Sequence, residues 1–212
     1  MATGPHHPPH RPISDAKRSV PVVDSGTSFR GRVWDVQTDR VELRDGDVVT
    51  RDFVRHPGAV AVIPYSPSGE VLLLCQYRHP VGRELWEPPA GLLDIPGEDP
   101  LAAAKRELYE EADLRAEEWS VLVDFFTSPG GSSASIRVYL AEKTSDVPAA
   151  ERFEREAEER DMWSRWVPLD DAVQAVAEGR IASPTAVVGL LALDYALRHD
   201  RKPLRYVDEA RG

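Results

Sequence analysis

Between Gly91 and Leu114 the chain reads GLLDIPGEDPLAAAKRELYEEADL, which gathers Glu98, Arg106, Glu107, Glu110 and Glu111 into one short stretch. Carboxylate oxygens are hard donors, of the kind Mg²⁺ takes in small number alongside waters and substrate phosphates. Acidic side chains three and four residues apart on a helix repel, each exposed pair by about 0.2–0.5 kcal/mol, and partial burial adds to this. Arg106 can offset some of that charge through its i,i+4 neighbour Glu110, and divalent cations would offset more. For a lone Glu-Glu pair a solvated amphipathic helix is the plainer account. The spacing of the whole set, a Glu, an Arg and three further Glu at fixed offsets, is far less common by chance than such a pair.

Asp99 followed by Pro100 predicts a helix start, a capping side chain and then proline at the first helical position. At 100° per residue Leu101, Ala104, Leu108 and Ala112 share one apolar stripe, and Glu107, Glu110 and Glu111 cluster beside it. The carboxylates should therefore stand at the margin of the core.

A chain of 212 residues, 42% hydrophobic and 29% charged, suits one main domain with a small extra lobe. Its formal net charge of -10 argues against a nucleic-acid backbone as partner, since that affinity comes from clustered Lys and Arg. No run approaches the roughly 18 apolar residues of a membrane span, so no membrane partner is expected. The opening MATGPHHPPHRPIS lacks the apolar centre of a secretory signal, and one cysteine, Cys75, allows no internal disulfide. A cytoplasmic location fits both. Any phosphate-bearing substrate must then be met locally, by a few arginines or by metal ions.

Residues 1–25, rich in proline, are expected to be a disordered tail, in which Pro8 and Pro9 keep His6 and His10 from sharing a helix face. Residues 26–56 read as a small antiparallel β lobe, with Asp45-Gly46 as a hairpin turn. Trp34 within it is either a core or interface residue or a stacking platform for a base. GAVAVIPY and VLLLCQYR, joined by SPSGE, read as a hairpin into a buried strand, with Cys75 a structural thiol. Arg78 at the end of that strand is either a bidentate phosphate contact or a surface ion pair. SVLVDFF and SIRVYLAEK are further strands, and the TSPGGSSAS loop between them can approach a ligand closely. SDVPAAERFEREAEERD is expected to be a mobile loop with some helical content, followed by the strand MWSRWVPL. Asp170 and Asp171 should cap a helix that stops at Gly179, and Ser183-Pro184 should open a closing helix. Residues 57–200 then form the main domain and 201–212 a C-terminal tail.

With these residues in place the sequence resembles the Nudix hydrolases, whose signature is Gly, five residues, Glu, seven residues, then Arg-Glu-aliphatic-x-Glu-Glu-x-Gly-aliphatic. Glu98, Arg106, Glu107, Leu108, Glu110, Glu111 and Leu114 match at the right spacing. Gly91 stands one residue further from Glu98 than the pattern has it, and Asp113 stands where the last Gly is expected. The likeness covers roughly residues 31 to 200. Trp86-Glu87-Pro88-Pro89-Ala90-Gly91 and Pro129, fifteen residues beyond Leu114, are similar to the ADP-ribose pyrophosphatase branch.

The resemblance implies an α/β fold, a Nudix-type α/β/α sandwich with a mixed sheet, and an N-terminal β lobe exchanged in a homodimer. It implies hydrolysis of the diphosphate of ADP-ribose to AMP and ribose 5-phosphate. Two or more Mg²⁺, with Mn²⁺ as an alternative, would be held by Glu107, Glu111, Glu110 and the Ala90 carbonyl, with Arg106 and Glu98 in support. Arg78, Trp34, Pro129 and Gly130 would meet the substrate, and Glu159, or else Glu158, would be the base. The alternatives are a Nudix pyrophosphatase for another nucleoside diphosphate sugar, and a non-catalytic nucleotide-sugar sensor of the same fold.

Overall fold

The structure, a computed structural model, describes residues 13–44, 46–155 and 162–208. Strands β1 (Val22–Arg30), β2 (Asp35–Glu42) and β3 (Val48–Arg55) form an antiparallel three-stranded sheet. Gly46, with φ +86°, supplies the left-handed residue of the turn between β2 and β3; Asp45 lies outside the described residues. β1 begins at Val22, inside the stretch expected as tail, because its backbone pairs with β2 from Val22↔Val41 onward. His6, His7 and His10 lie outside the described residues.

The main unit contains β4 (Ala59–Pro64), β5 (Glu70–Arg78), β6 (Arg83–Glu87), β7 (Ala90–Leu92), β8 (Leu114–Phe126), β9 (Ser135–Asp146) and β10 (Trp163–Pro168). They form two sheets, in the orders β7-β4-β9-β8 and β10-β5-β6. In the first sheet β4 and β9 pair parallel and the other pairs are antiparallel, which makes it mixed. Helix α1 (Pro100–Ala112) lies on one side, and α2 (Leu169–Ala177) and α3 (Pro184–Arg198) on the other.

The alternation of a strand explains the sandwich. Val60 and Val62 of β4, with Tyr139 and Ala141 of β9, pack with Ala104 and Leu108 of α1. Ala61 and Ile63, with Val138 and Leu140, pack with Leu190 and Leu193 of α3. Every residue of β4 is buried, as two covered faces require. Gly189 lets α3 come down onto β4, since a Cβ built there would lie 2.9 Å from Ile63 Cδ1.

The hairpin expected across SPSGE is only a turn. Tyr65 and Val71 form one antiparallel bridge, and β4 and β5 then separate into different sheets. The reason lies in the partners of β4, which bonds β7 and β9 on its two edges and, at Val62 N–H, the Pro89 carbonyl. Asp170 and Asp171 fall in the first turn of α2 rather than capping it, since the helix begins at Leu169 with Pro168 before it. Gly179, with φ +72°, follows that helix as expected.

Residues 201–205 are fastened down. Arg205 exchanges both backbone hydrogen bonds with Val121, at 2.9 and 3.0 Å, and Arg201 grips Glu142 with two nitrogens at 2.6 and 2.9 Å. The segment thus covers part of the outer edge of β8, a place where unpaired strand groups would otherwise invite association.

Candidate active site

Helix α1 starts as its sequence requires. Asp99 accepts hydrogen bonds from the N–H groups of Leu101 and Ala102 at 2.9 and 3.1 Å, with Pro100 at the first turn. The acidic residues then converge on Arg106. Its Nε and Nη2 reach the two oxygens of Glu98 at 3.0 and 3.1 Å, while Nη1 reaches Glu107 Oε1 at 2.6 Å and Glu110 Oε2 at 3.1 Å. The hydrogen bonds from Arg106 hold the Glu98 carboxyl below its ordinary range, and that same contact with Glu98 is the largest reason the guanidinium keeps its proton more firmly than usual. The relief expected from Glu110 alone is therefore shared among three carboxylates.

Glu107 is 8% exposed and lies against β7. A Cβ at Gly91 would stand 1.9 Å from Glu107 Oε1, so this carboxylate occupies space that any other residue at 91 would fill. One residue earlier, Ala90 N–H donates to Glu111 Oε2 at 2.8 Å. Glu107 and Glu111 thus both meet the Ala90–Gly91 backbone, and Glu110 stands beside Glu107 on Arg106.

Among the described residues no three His, Cys, Asp or Glu side chains converge as a ready cage. Arg106 and the Ala90 N–H hold the carboxylates in the geometry seen. The donor set itself fits a hard dication: it is oxygen only and carries three acids on one helix, Glu107, Glu110 and Glu111.

Arg78 forms an ion pair. Its Nε and Nη2 donate to Glu87 Oε2 at 3.1 and 2.6 Å, and Gln76 Nε2 lies 3.3 Å from the same oxygen. Glu87 is only 6% exposed, whereas the Arg78 side chain is 43% exposed, so the cation stands at the surface over a buried anion. Glu87 ends β6, three residues before Ala90, which brings Arg78 to the strand that leads into the carboxylate site.

Trp34 stacks on His56, with ring centroids 4.4 Å apart and planes at 16°. His56 Nδ1 accepts from Gly58 N–H at 2.9 Å, and burial lowers the pKa of the ring. The Gly58 carbonyl in turn accepts from Leu93 N–H at 3.0 Å, just past β7. The loop containing Pro129 and Gly130 joins the same neighbourhood: Val54 N–H donates to the Gly131 carbonyl at 3.0 Å, and His56 N–H to Ser133 Oγ at 2.9 Å. Trp34 and the Pro129 loop are therefore linked through Val54–His56. Pro129 also lines a cleft of about 890 Å³ with Phe125, Phe126 and Ile136.

Glu158 and Glu159 lie outside the described residues. The segment before them is secured to α1: Tyr109 Oη donates to the Glu151 carbonyl at 2.5 Å, and Arg155 reaches the Glu110 carbonyl at 2.9 Å and Asp113 Oδ2 at 2.7 Å. Asp113 takes the left-handed conformation, φ 54° and ψ 35°, the turn expected of the Gly it replaces. Cys75 is buried, and burial, with Glu84 and Glu87 nearby, pushes its thiol pKa up, in keeping with a structural role.

Two partnerships escape a reading of the sequence. Glu87 carries a usable signal, an acid set among Trp86, Pro88 and Pro89, because a buried carboxylate demands a cation. The triad of Asp124 with Arg137 and Arg205 gives no local sign, since its members are up to 81 residues apart.

The chain belongs to the NUDIX domain family, as a Nudix hydrolase: residues 55–186 match that domain. It is 42% identical over 178 residues to the ADP-ribose pyrophosphatase of Mycobacterium tuberculosis, covering 84% of each chain. It is 39% identical to the methanol dehydrogenase activator of Bacillus methanolicus, over 81% of this chain and 91% of that one. The fold is similar to the crystal structure of an ADP compounds hydrolase, with a TM-score of 0.72 at 19% identity, covering 89% of this chain and all of the other.

Proposed function

We propose that this chain hydrolyses the diphosphate of ADP-ribose to AMP and ribose 5-phosphate. The observation that carries the reading is the seating of Glu107 on Gly91 beside Glu110 and Glu111, with Arg106 bridging the acids. The name of the Mycobacterium tuberculosis relative supports the substrate.

Glu107, Glu110, Glu111 and the Ala90 carbonyl would hold divalent ions, Mg²⁺ or alternatively Mn²⁺. When bound, such ions neutralise the carboxylates, polarise phosphoryl oxygens and lower the pKa of water. Two unit charges 4 Å apart interact by about 1–4 kcal/mol over the effective dielectrics of water and a protein surface, so a diphosphate is repelled by the acids alone. Arg106 Nη1 bridges Glu107 and Glu110 and holds both acids on one face of α1. Arg78 clamps the diphosphate from its exposed position while it stays paired with the buried Glu87. Trp34 stacks adenine, and Pro129 and Gly130 border the sugar. Glu159, with Glu158 next to it, takes the proton from the attacking water at its carboxylate oxygen.

A homodimer belongs to the same proposal. All nine residues of β1 are exposed, with Phe29 at 63%, and a partner subunit would give this strand a cover. A cytoplasmic location agrees with the one unpaired thiol. Among the described residues no helix is long and apolar enough to cross a membrane.

A second reading takes another nucleoside diphosphate sugar as substrate, because stacking on Trp34 reads the face of a base and not its edge. A panel of nucleoside diphosphate sugars with Mg²⁺, assayed for released monophosphate, decides between these readings and a non-catalytic sensor. ADP-ribose should be the best substrate and AMP the product. Glu111→Gln should abolish that turnover with the melting temperature held; turnover within a few-fold of the parent would remove Glu111 from the metal site.

A further inference from the structure

We infer that Glu87 is the positioning residue for Arg78, a buried anion that fixes the direction of the guanidinium relative to the acid cluster. The inference rests on the reading of Arg78 as the diphosphate contact and deepens it. Glu87 is 6% exposed, and a carboxylate so far from water is retained only where a cation or hydrogen bonds meet it. Arg78 meets it with Nε and Nη2 at 3.1 and 2.6 Å, both on Oε2, and Gln76 Nε2 stands 3.3 Å from the same oxygen. Strand register brings the three groups together. In the antiparallel β5–β6 ribbon Leu74 stands opposite Glu87 and Arg78 opposite Arg83, so Gln76, Arg78 and Glu87 share one face. Leu72 lies on that face as well and packs with α1, the helix of the acids. The ion pair therefore stands on the α1 side of the sheet.

An ion pair between two surface side chains fixes little, because both ends move. Here one end is immobile. Glu87 is followed by the buried Pro88 and Pro89, two residues of fixed φ, and the Pro89 carbonyl accepts from Val62 N–H at 2.8 Å in the wholly buried β4. Ala90 N–H then donates to Glu111 Oε2 at 2.8 Å, and Gly91 lies against Glu107. The stretch from Glu87 to Gly91 thus carries at one end the anion that holds Arg78, and at the other the backbone that seats Glu107 and Glu111. The Arg78 side chain is 43% exposed and, without that anion, would sample many rotamers, so that ordering it would fall on substrate binding.

Removal of the Glu87 charge has two opposed effects. The field of Arg78 at a phosphate would grow, but solvent and salt screen that gain at an exposed group. The direction of the guanidinium would be lost, and a fork-to-oxygen contact depends on direction. Loss of direction outweighs the gain. A contact made equally in the ground and transition states acts on KM and not on kcat.

The test compares Glu87→Gln, Glu87→Asp, Arg78→Gln and the double variant Arg78→Gln/Glu87→Gln with the parent under steady-state turnover of ADP-ribose with Mg²⁺. Glu87→Gln keeps the volume of the side chain and removes its charge. It should raise KM about fivefold with kcat within twofold. Glu87→Asp keeps the charge but withdraws it by one methylene, and should raise KM about threefold; it keeps the test valid if Glu87→Gln fails to fold. Arg78→Gln should raise KM about tenfold, and the double variant, which strands no charge, should match it within twofold. A merely structural Glu87 would instead lower the active fraction, and with it kcat, at unchanged KM. A KM within twofold of the parent in the Glu87 variants, a loss carried by kcat, or full additivity in the double variant overturns the inference. Parent-like KM in Arg78→Gln overturns the reading of Arg78 as the diphosphate contact, and that result is read from Arg78→Gln alone.

Discussion

Glu107 rests on Gly91: a Cβ at position 91 would fall 1.9 Å from Glu107 Oε1 and 2.1 Å from Cδ. The clash is with the end of a flexible side chain, which can swing away, and no positive φ constrains Gly91. Gly91→Ala should therefore lower kcat at least tenfold while leaving the melting temperature within about 2–4 °C, the equivalent of about 1 kcal/mol in a chain of this size. Thermal unfolding and turnover measured on one preparation would check it. Parent-like turnover would show that the Glu107 position is not needed.

Asp124 joins two arginines, with Arg137 at 2.8 and 3.0 Å and Arg205 at 2.8 Å. Burial works to raise its pKa, but the hydrogen bonds and charges of Arg137 and Arg205 outweigh this and hold the carboxyl below its ordinary 3.8. A carboxyl depressed on folding contributes stability that is fully present above the ordinary value and is lost as pH falls through the folded one. Asp124→Asn should lower the melting temperature by about 4–8 °C at neutral pH, from roughly 2 kcal/mol of charged hydrogen bonding. The gap should hold down to about pH 5 and narrow below 3.8. Melting curves of both proteins from pH 7 to pH 3 test this, and a gap independent of pH would contradict it.

Trp34 has one ring face on His56, at 4.4 Å. Base stacking on an aromatic side chain is worth about 1–3 kcal/mol. Trp34→Ala should raise KM for ADP-ribose about fivefold or more, with kcat within twofold. An unchanged KM would leave Trp34 as a structural partner of His56.

The carboxylate helix was legible because its information is local. Asp99 and Pro100 start it, apolar spacing orients it, and Glu107, Glu110 and Glu111 follow at helical intervals. Asp113 takes the left-handed turn where the motif has a glycine, an outcome the sequence left open. The separation of β4 from β5 could not be anticipated, because it depends on Val62 finding Pro89 and β4 finding β9, partners distant in sequence. Arg78 was open between a phosphate contact and an ion pair, and only the packing that buries Glu87 next to it shows the pair. Arg155 lies in a stretch so rich in charge that no single arginine stands out before its partners at Glu110 and Asp113 are known.

The N-terminal sheet has a consequence for hydrogen exchange. Among the strands of the main unit β4 is wholly buried, whereas β1 has no buried residue, and β3 meets the Pro129 loop through Val54 and His56. Amides in β1 should therefore open at low free energy in a dilute monomer, well before the β4–β9 core exchanges through global unfolding. In a homodimer the same amides would be shielded by the second subunit. Protection of Val22–Arg30 then becomes a function of protein concentration, while that of Ala59–Pro64 does not.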